Sequence, residues 1–551
     1  MTSRAATVAG VCLAVSLAAC STATSPSEQG GDAAAPSSSP STTFASPSPT
    51  TEAPTRSAQR LGIRTGWGPT RAEIDQAYAR VSRMSLPEKA GQVIVARYDG
   101  TGAPTEMVNG LHLGGVIVFD ENISSNDQLR RSNRTLQEAA TEAGRQWPVF
   151  IGVDQEGGIV ERVKDNATRF PAFMTLGAAR DPAVTTQAAA ASGAELNDLG
   201  FTVVFAPVAD VTSGADDPTI GSRSAGSRPG QVATQVNAAT DGYLSSGILP
   251  VVKHFPGHGS VPADSHLELP VQQKTVRQLA SSDLVPFRSA VRHGVSSVMI
   301  GHLDIRAVDP GVPSTVSRKV VHGLLRDRLG FAGLVTTDAL NMQAITERLT
   351  SAQTAVRALR AGADVLLMPP SPREARDGIV RGVRSGSLSG ARLDQAATRQ
   401  VAMLLHQDKI TASVAGKPGS ARRASYRASA AGITVASGPC SGRLVGESVQ
   451  ATGSSETVAR FNEAAANAGL GTGSGTSVAL VGYGGSARSA DIVVSTDSPY
   501  VLGQSTARTT KIALYGETPG AMRALVDVLL GSASASGRLP VDVSGVARAG
   551  C

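Results

Sequence analysis

Eight short, almost unbroken apolar runs punctuate the chain between Arg71 and His406, each followed by a segment long enough for a helix or a decorated loop. They are Val93–Val95, Gly115–Phe119, Val149–Val153, Thr202–Phe205, Ile248–Val252, Ser297–Ile300, Leu334–Thr337 and Val365–Met368. A strand with one wet face alternates apolar and polar residues. A run without alternation is covered on both faces, as parallel strands joined by helical crossovers are. Eight such units over about 330 residues predict a (β/α)8 TIM-like barrel, with a doubly wound open sheet as the rival architecture.

The polar residues after these runs favour the barrel. Asp154 follows the third run, Lys253 and His254 the fifth, His302 the sixth and Asp338 the seventh. One such residue is explained by a cap or a solvated turn. Titratable groups at the ends of several strands are what a barrel active site requires.

The fifth run opens the densest cluster. Lys253-His254-Phe255-Pro256-Gly257-His258-Gly259 is followed by Asp264-Ser265-His266, which places one Lys, three His and one Asp within fourteen residues. Gly and Pro fix an irregular backbone there, and imidazoles exchange protons near neutral pH. Asp264, two residues before His266, would orient that ring and favour its protonated form. Asp338 sits at a strand end between packed neighbours, as a nucleophile or a charge stabiliser. These supply the two roles of glycoside hydrolysis, with His in place of the usual carboxylic acid. The His254-x3-His258 spacing with Asp264 and His266 offers a competing metal reading. Pro256, Gly257 and Gly259 oppose the helix it needs, so neither metal nor organic cofactor is expected.

The ends of the chain have their own character. Arg4, an apolar stretch from Ala5 to Val15 and Leu17-Ala18-Ala19-Cys20 read as a secretory signal over residues 1–20, too short to span a membrane. The placement of Cys20 resembles a bacterial lipobox, which makes it the expected lipidation site and the protein's only attachment to the membrane. Residues 21–60 are rich in Ser, Thr, Pro and Ala and bury too little to order themselves. Extended, such a linker reaches on the order of 100 Å. Residues 61–411 are assigned to the barrel and 412–551 to a smaller, sandwich-like α/β domain. In that domain Val478–Val481, Asp491–Val494 and Lys511–Leu514 read as strands. Gly520–Leu530 reads as a helix with Thr518 as N-cap and Pro519 in its first position. Of four Cys, Cys12 and Cys20 belong to the leader, leaving Cys440 and Cys551 as a candidate disulfide in an oxidising exterior. The net charge of +6 is diffuse and aromatics are 4% of residues, so no nucleic-acid partner is expected. A monomer is expected.

The fourteen-residue motif resembles the signature of glycoside hydrolase family 3 β-N-acetylglucosaminidases, and the segment from Lys511 to Val543 resembles that family's C-terminal domain. The resemblance implies that His266 is the general acid/base, Asp264 its dyad partner, and Asp338 the nucleophile of a covalent glycosyl-enzyme. It places sugar binding on Asp154, Arg162, Arg223, Lys253 and His254, groups that accept from or donate to hydroxyls. Two positions depart from the family pattern: Ala225 replaces an aromatic residue, and Ala339 follows Asp338 where an acidic residue is usual. The expected activity is a retaining exo-β-N-acetylglucosaminidase acting on amino-sugar or muropeptide substrates. A family 3 β-glucosidase, a phosphorylase of N-acetylglucosaminides and a non-catalytic wall-binding lipoprotein are the alternatives.

Overall fold

The computed structural model describes residues 60–164, 167–410, 412–546 and 550–551. Cys20, with the rest of residues 1–59, lies outside them. Eight strands form the first domain: β1 Ile94–Ala96, β2 Gly115–Val118, β3 Phe150–Val153, β4 Val203–Val204, β5 in two pieces (Leu249–Pro250 and Val252–Phe255), β6 Ser297–Ile300, β7 Leu334–Thr337 and β8 Leu366–Leu367. Every pairing among them is parallel. One sheet runs β8-β1-β2-β3-β4 to the first piece of β5, and a second runs from the later piece of β5 through β6 to β7. A parallel bridge between Thr336 and Val365 joins β7 to β8 and closes the ring. This is the (β/α)8 barrel, not the open sheet.

The fifth strand differs from expectation. It does not end at Val252 but continues through Lys253 and His254 to Phe255. Its interruption follows Pro250, which has no N–H to give a ladder. The Val251 N–H donates to the carbonyls of both Val204 and Ala206, at 3.0 Å each. Polar side chains inside a strand imitate a loop in sequence, and here they belong to the barrel wall.

Local signals shape the crossovers. Helix Ser351–Ala361, between β7 and β8, starts with a reciprocal capping box of Thr350 and Gln353. It stops at Gly362, whose φ of 123° disfavours a side chain. Its inner face, Ala355, Ala358 and Leu359, is fully buried. At the amino ends of β7 and β8 the buried Asp364 accepts from Arg326 at 2.6 Å, Arg392 at 2.8 Å and Arg399 at 3.2 Å.

The second domain is built on a six-stranded sheet ordered Thr434–Ser437, Thr506–Ala513, Ser489–Ser495, Thr476–Val481, Ser448–Thr452, Gly471–Thr472. Only the first of these strands is antiparallel to its neighbour. Helix Pro519–Leu530 covers one face, with Thr518 capping and Pro519 leading it as the sequence suggested. Cys440 and Cys551 form a disulfide, with Cα atoms 5.5 Å apart. The carboxyl ends of the parallel strands meet the barrel. The Tyr515 carbonyl accepts from the Ala172 N–H at 3.1 Å, and Met174 and Ala178 of the barrel share an apolar cluster with Val493, Tyr515 and Leu539. Among the described residues, no helix is long and apolar enough to cross a membrane.

Candidate active site

A cavity opens at the carboxyl ends of the barrel strands. Its wall takes Arg97 after β1, Phe119 after β2, Asp154 after β3, Lys253 and His254 from β5, Met299 from β6, Asp338 after β7 and Met368 after β8. Every candidate catalytic and sugar-binding residue lines it except Asp264, which stands behind His266.

Asp338 is the first residue past β7. Its N–H donates to the Ile300 carbonyl at 2.9 Å, which ties it to β6, and its Oδ1 accepts from the Ala339 N–H at 2.8 Å. Burial by itself would raise this carboxyl. The His254 and His302 rings, the Ala339 N–H and Lys253 outweigh it and hold the pKa at about 2. His302 is fully buried, with Nε2 at 2.9 Å from the Ala339 carbonyl and Nδ1 against the Thr315 hydroxyl at 2.5 Å. A carbonyl only accepts, so Nε2 carries the proton and Nδ1 accepts from Thr315. Position 339 therefore serves through its main chain, which an Ala supplies as well as the family's acidic residue. Ala225, the other departure, is fully buried, and its carbonyl oxygen occupies the space where a side chain at Gly177 would stand.

His266 sits on the loop after β5, with its side chain 64% exposed. Asp264 Oδ1 accepts from both the His266 N–H at 2.9 Å and ring Nδ1 at 2.7 Å. That fixes the ring's orientation and leaves Nε2 for proton transfer. Burial would raise the Asp264 carboxyl, but the N–H and ring of His266 draw it below the usual range. The intervening Ser265 anchors the loop inward, its hydroxyl 2.9 Å from Nε2 of the buried His258. Burial and neighbouring His254 hold His258 down at about 4, so that ring is neutral.

The floor is a chain of opposite charges. Lys253 Nζ lies 2.7 Å from Asp154 and 2.6 Å from Glu156, with its side chain 3% exposed. Glu156 takes Arg223 in a fork, Nε and Nη2 both at 2.8 Å. Burial opposes its ionisation, but Arg223 and Lys253 win and hold the carboxyl far below its ordinary value. His254 reaches Arg223 with Nε2 at 3.4 Å and gives Nδ1–H to the buried Asp210 at 2.6 Å. Arg223 is thus an ion-pair partner at the cavity, its side chain 11% exposed. Arg162 is delivered by a hairpin of Gln155–Gly157 and Val160–Glu161, turned by Gly157 and Gly158 at φ of 90° and 63°. The Gln155 side chain clamps it through the N–H groups of Arg162 and Val163. The Arg162 guanidinium lies 5.1 Å from the Phe119 ring centre, and its buried Nε has no partner within the protein.

Sequence reading missed Glu156 and Asp210 and gave His302 no task. Asp210 carried a usable signal, since it is the first carboxylate after the fourth apolar run. Glu156 carried none of its own. Among the described residues, no three His, Cys, Asp or Glu side chains form a metal-binding group.

A lone ionised carboxylate at one strand end and an imidazole–carboxylate dyad on a neighbouring loop, over a floor of hydroxyl-binding groups, are the equipment of a glycoside hydrolase. Residues 85–403 match the glycosyl hydrolase family 3 N-terminal domain, and the chain belongs to that family. It is 34% identical over 289 residues to β-hexosaminidase A of Pseudoalteromonas piscicida, covering 50% of this chain and 48% of that protein, so it spans about half of that relative's length. It is 32% identical over 329 residues to β-hexosaminidase LpqI of Mycobacterium tuberculosis, covering 58% and 83%. Among solved structures, the family 3 β-N-acetylglucosaminidase of Paenibacillus sp. str. FPU-7 superposes with a TM-score of 0.75 at 28% identity. That match covers 84% of this chain and 99% of that one, and so extends into the second domain.

Proposed function

We propose that the protein is a retaining exo-β-N-acetylglucosaminidase that releases terminal non-reducing N-acetylglucosamine from cell-wall muropeptide fragments, exported and anchored to the outer face of the cytoplasmic membrane through lipidated Cys20. One observation carries the chemistry: Asp338, held ionised, shares a cavity with the Nε2 of a His266 already oriented by Asp264. Asp338 attacks the anomeric carbon while His266 Nε2–H protonates the departing glycosidic oxygen. A glycosyl ester on Asp338 and a neutral His266 result. His266 then takes a proton from water, whose oxygen attacks the anomeric carbon and frees the carboxylate. Asp154 accepts from sugar hydroxyls while Arg162, Arg223 and Lys253 donate to them, and His254, with its Nδ1–H on Asp210, presents Nε2 as an acceptor beside Arg223. The β-hexosaminidase names of the relatives support the amino-sugar specificity. The wall substrate is supported by the leader pattern of residues 1–20 and the linker that follows.

The deciding experiment is incubation of the protein with muropeptides, with and without phosphate, and identification of the released sugar. Free N-acetylglucosamine in both conditions is expected. A sugar 1-phosphate formed only with phosphate would replace hydrolysis by phosphorolysis, and no release would remove the proposal.

A further inference from the structure

Among the described residues, none of the second domain lines the cavity, yet that domain grips the loop that does. The loop runs from Asp210 to Ser227 and presents Thr219, Ile220 and Arg223 to the cavity. Within it, Asp217 accepts from the N–H groups of Thr219, Ile220 and Gly221, and Arg223 returns a bond to the Thr219 carbonyl. These contacts make the turn a unit but do not fix where it sits.

Beyond the Glu156 fork on Arg223 and the Ser213 N–H on the Gly259 carbonyl, the loop is held from the second domain. The buried Ser222, adjacent to Arg223, donates its hydroxyl to Asp497 Oδ1. Asp497 lies just past the carboxyl end of strand Ser489–Ser495, in a turn held by the Ser495 hydroxyl on the Ser498 carbonyl at 2.6 Å. A second grip lies five residues beyond Ser222. The Ser227 N–H donates to the Pro540 carbonyl at 3.2 Å, and that same oxygen fills the place a side chain at Gly226 would need.

We propose that Asp497 is a positioning residue for substrate, acting from the second domain through Ser222 to hold Arg223 where it meets the sugar. The inference rests on the reading that Arg223 binds the substrate. A charge-assisted hydrogen bond at a buried hydroxyl is strong enough to hold a loop, and displacement of Arg223 weakens sugar binding without touching the reacting groups.

Full-length Asp497→Ala, Asp497→Asn and Ser222→Ala variants test this by kinetics on an aryl N-acetyl-β-glucosaminide and by amide hydrogen exchange. Asp497→Ala and Ser222→Ala are expected each to raise KM by about tenfold with kcat within about twofold, and the double variant to be no worse than either single one. Asp497→Asn keeps an oxygen that accepts from Ser222 and should retain the wild-type KM. Exchange should quicken over residues 217–223 in Asp497→Ala while the barrel strands keep theirs. Unchanged KM in Asp497→Ala, or an Asn variant as impaired as Ala, overturns the proposal. An inactive wild type would defeat the glycosidase reading alone. The exchange measurement would still decide the brace, and an unaltered loop would overturn it.

Discussion

Lys253 Nζ stands 2.6 Å from Glu156 Oε1, and each side chain is only 3% exposed. The same carboxylate takes the Arg223 fork, so Glu156 and Asp154 together offset two cations at the base of the cavity, with Glu156 shared by both. Glu156→Gln removes that charge and leaves both cations under-compensated. A loss of about 3 to 5 kcal/mol in denaturant unfolding is expected, with KM raised alongside. An unfolding midpoint equal to wild type would show that the three charges are not coupled as their distances indicate.

The two reacting groups should fail in different ways. Asp338→Ala should lower kcat by about 10^4-fold or more for every substrate, since no covalent intermediate forms. His266→Ala should cost about 10^2- to 10^4-fold on glycosides with poor leaving groups and little on activated aryl glycosides, which depart unprotonated. Rates measured over a series of leaving groups separate them, and equal losses across that series would remove His266 from the acid role.

His258 makes stability depend on pH. Its folded value of about 4 is set by burial and His254, against the opposing pull of Asp210 and Asp338. An unfolded imidazole titrates near 6.5. Between these values the unfolded chain binds a proton that the folded ring refuses, so stability is full above about pH 6.5 and falls by roughly 3 kcal/mol as pH drops towards 4. Unfolding followed across this range should show that slope, and His258→Gln should flatten it. An equally steep variant would assign the acid lability to another group.

Asp364 offers a contrast, because it lies at the opposite end of the barrel from the cavity. Asp364→Ala strands Arg326, Arg392 and Arg399 in a buried site and should destabilise the fold by about 3 to 5 kcal/mol. KM of the folded fraction should stay unchanged, since barrel amino ends serve stability. A shifted KM would reveal coupling along the barrel axis.

Legibility in the sequence followed physical cause. Ser297–Ile300 and Leu334–Thr337 were readable to the residue because a strand covered on both faces admits apolar and small hydroxyl side chains but no charge. Helix Pro519–Leu530 announced itself through Thr518 and Pro519. The end of β5 was hidden, since Lys253 and His254 point their polarity into the barrel and so resemble a loop. Asp338 and the Asp264–His266 dyad stood out by residue type and position. Glu156 did not, because its role exists only once Lys253 and Arg223 converge on it from distant parts of the chain. The Ser222–Asp497 contact, 275 residues apart in sequence, leaves no local trace at all.

Position 339 closes the account of the nucleophile. Its N–H steadies Asp338 and its carbonyl receives His302, while its side chain reaches the cavity wall and makes neither bond. The chemistry and the variable surface are thus uncoupled at one residue. A substitution at this position changes the lining of the cavity while both main-chain bonds, to Asp338 and from His302, stay in place.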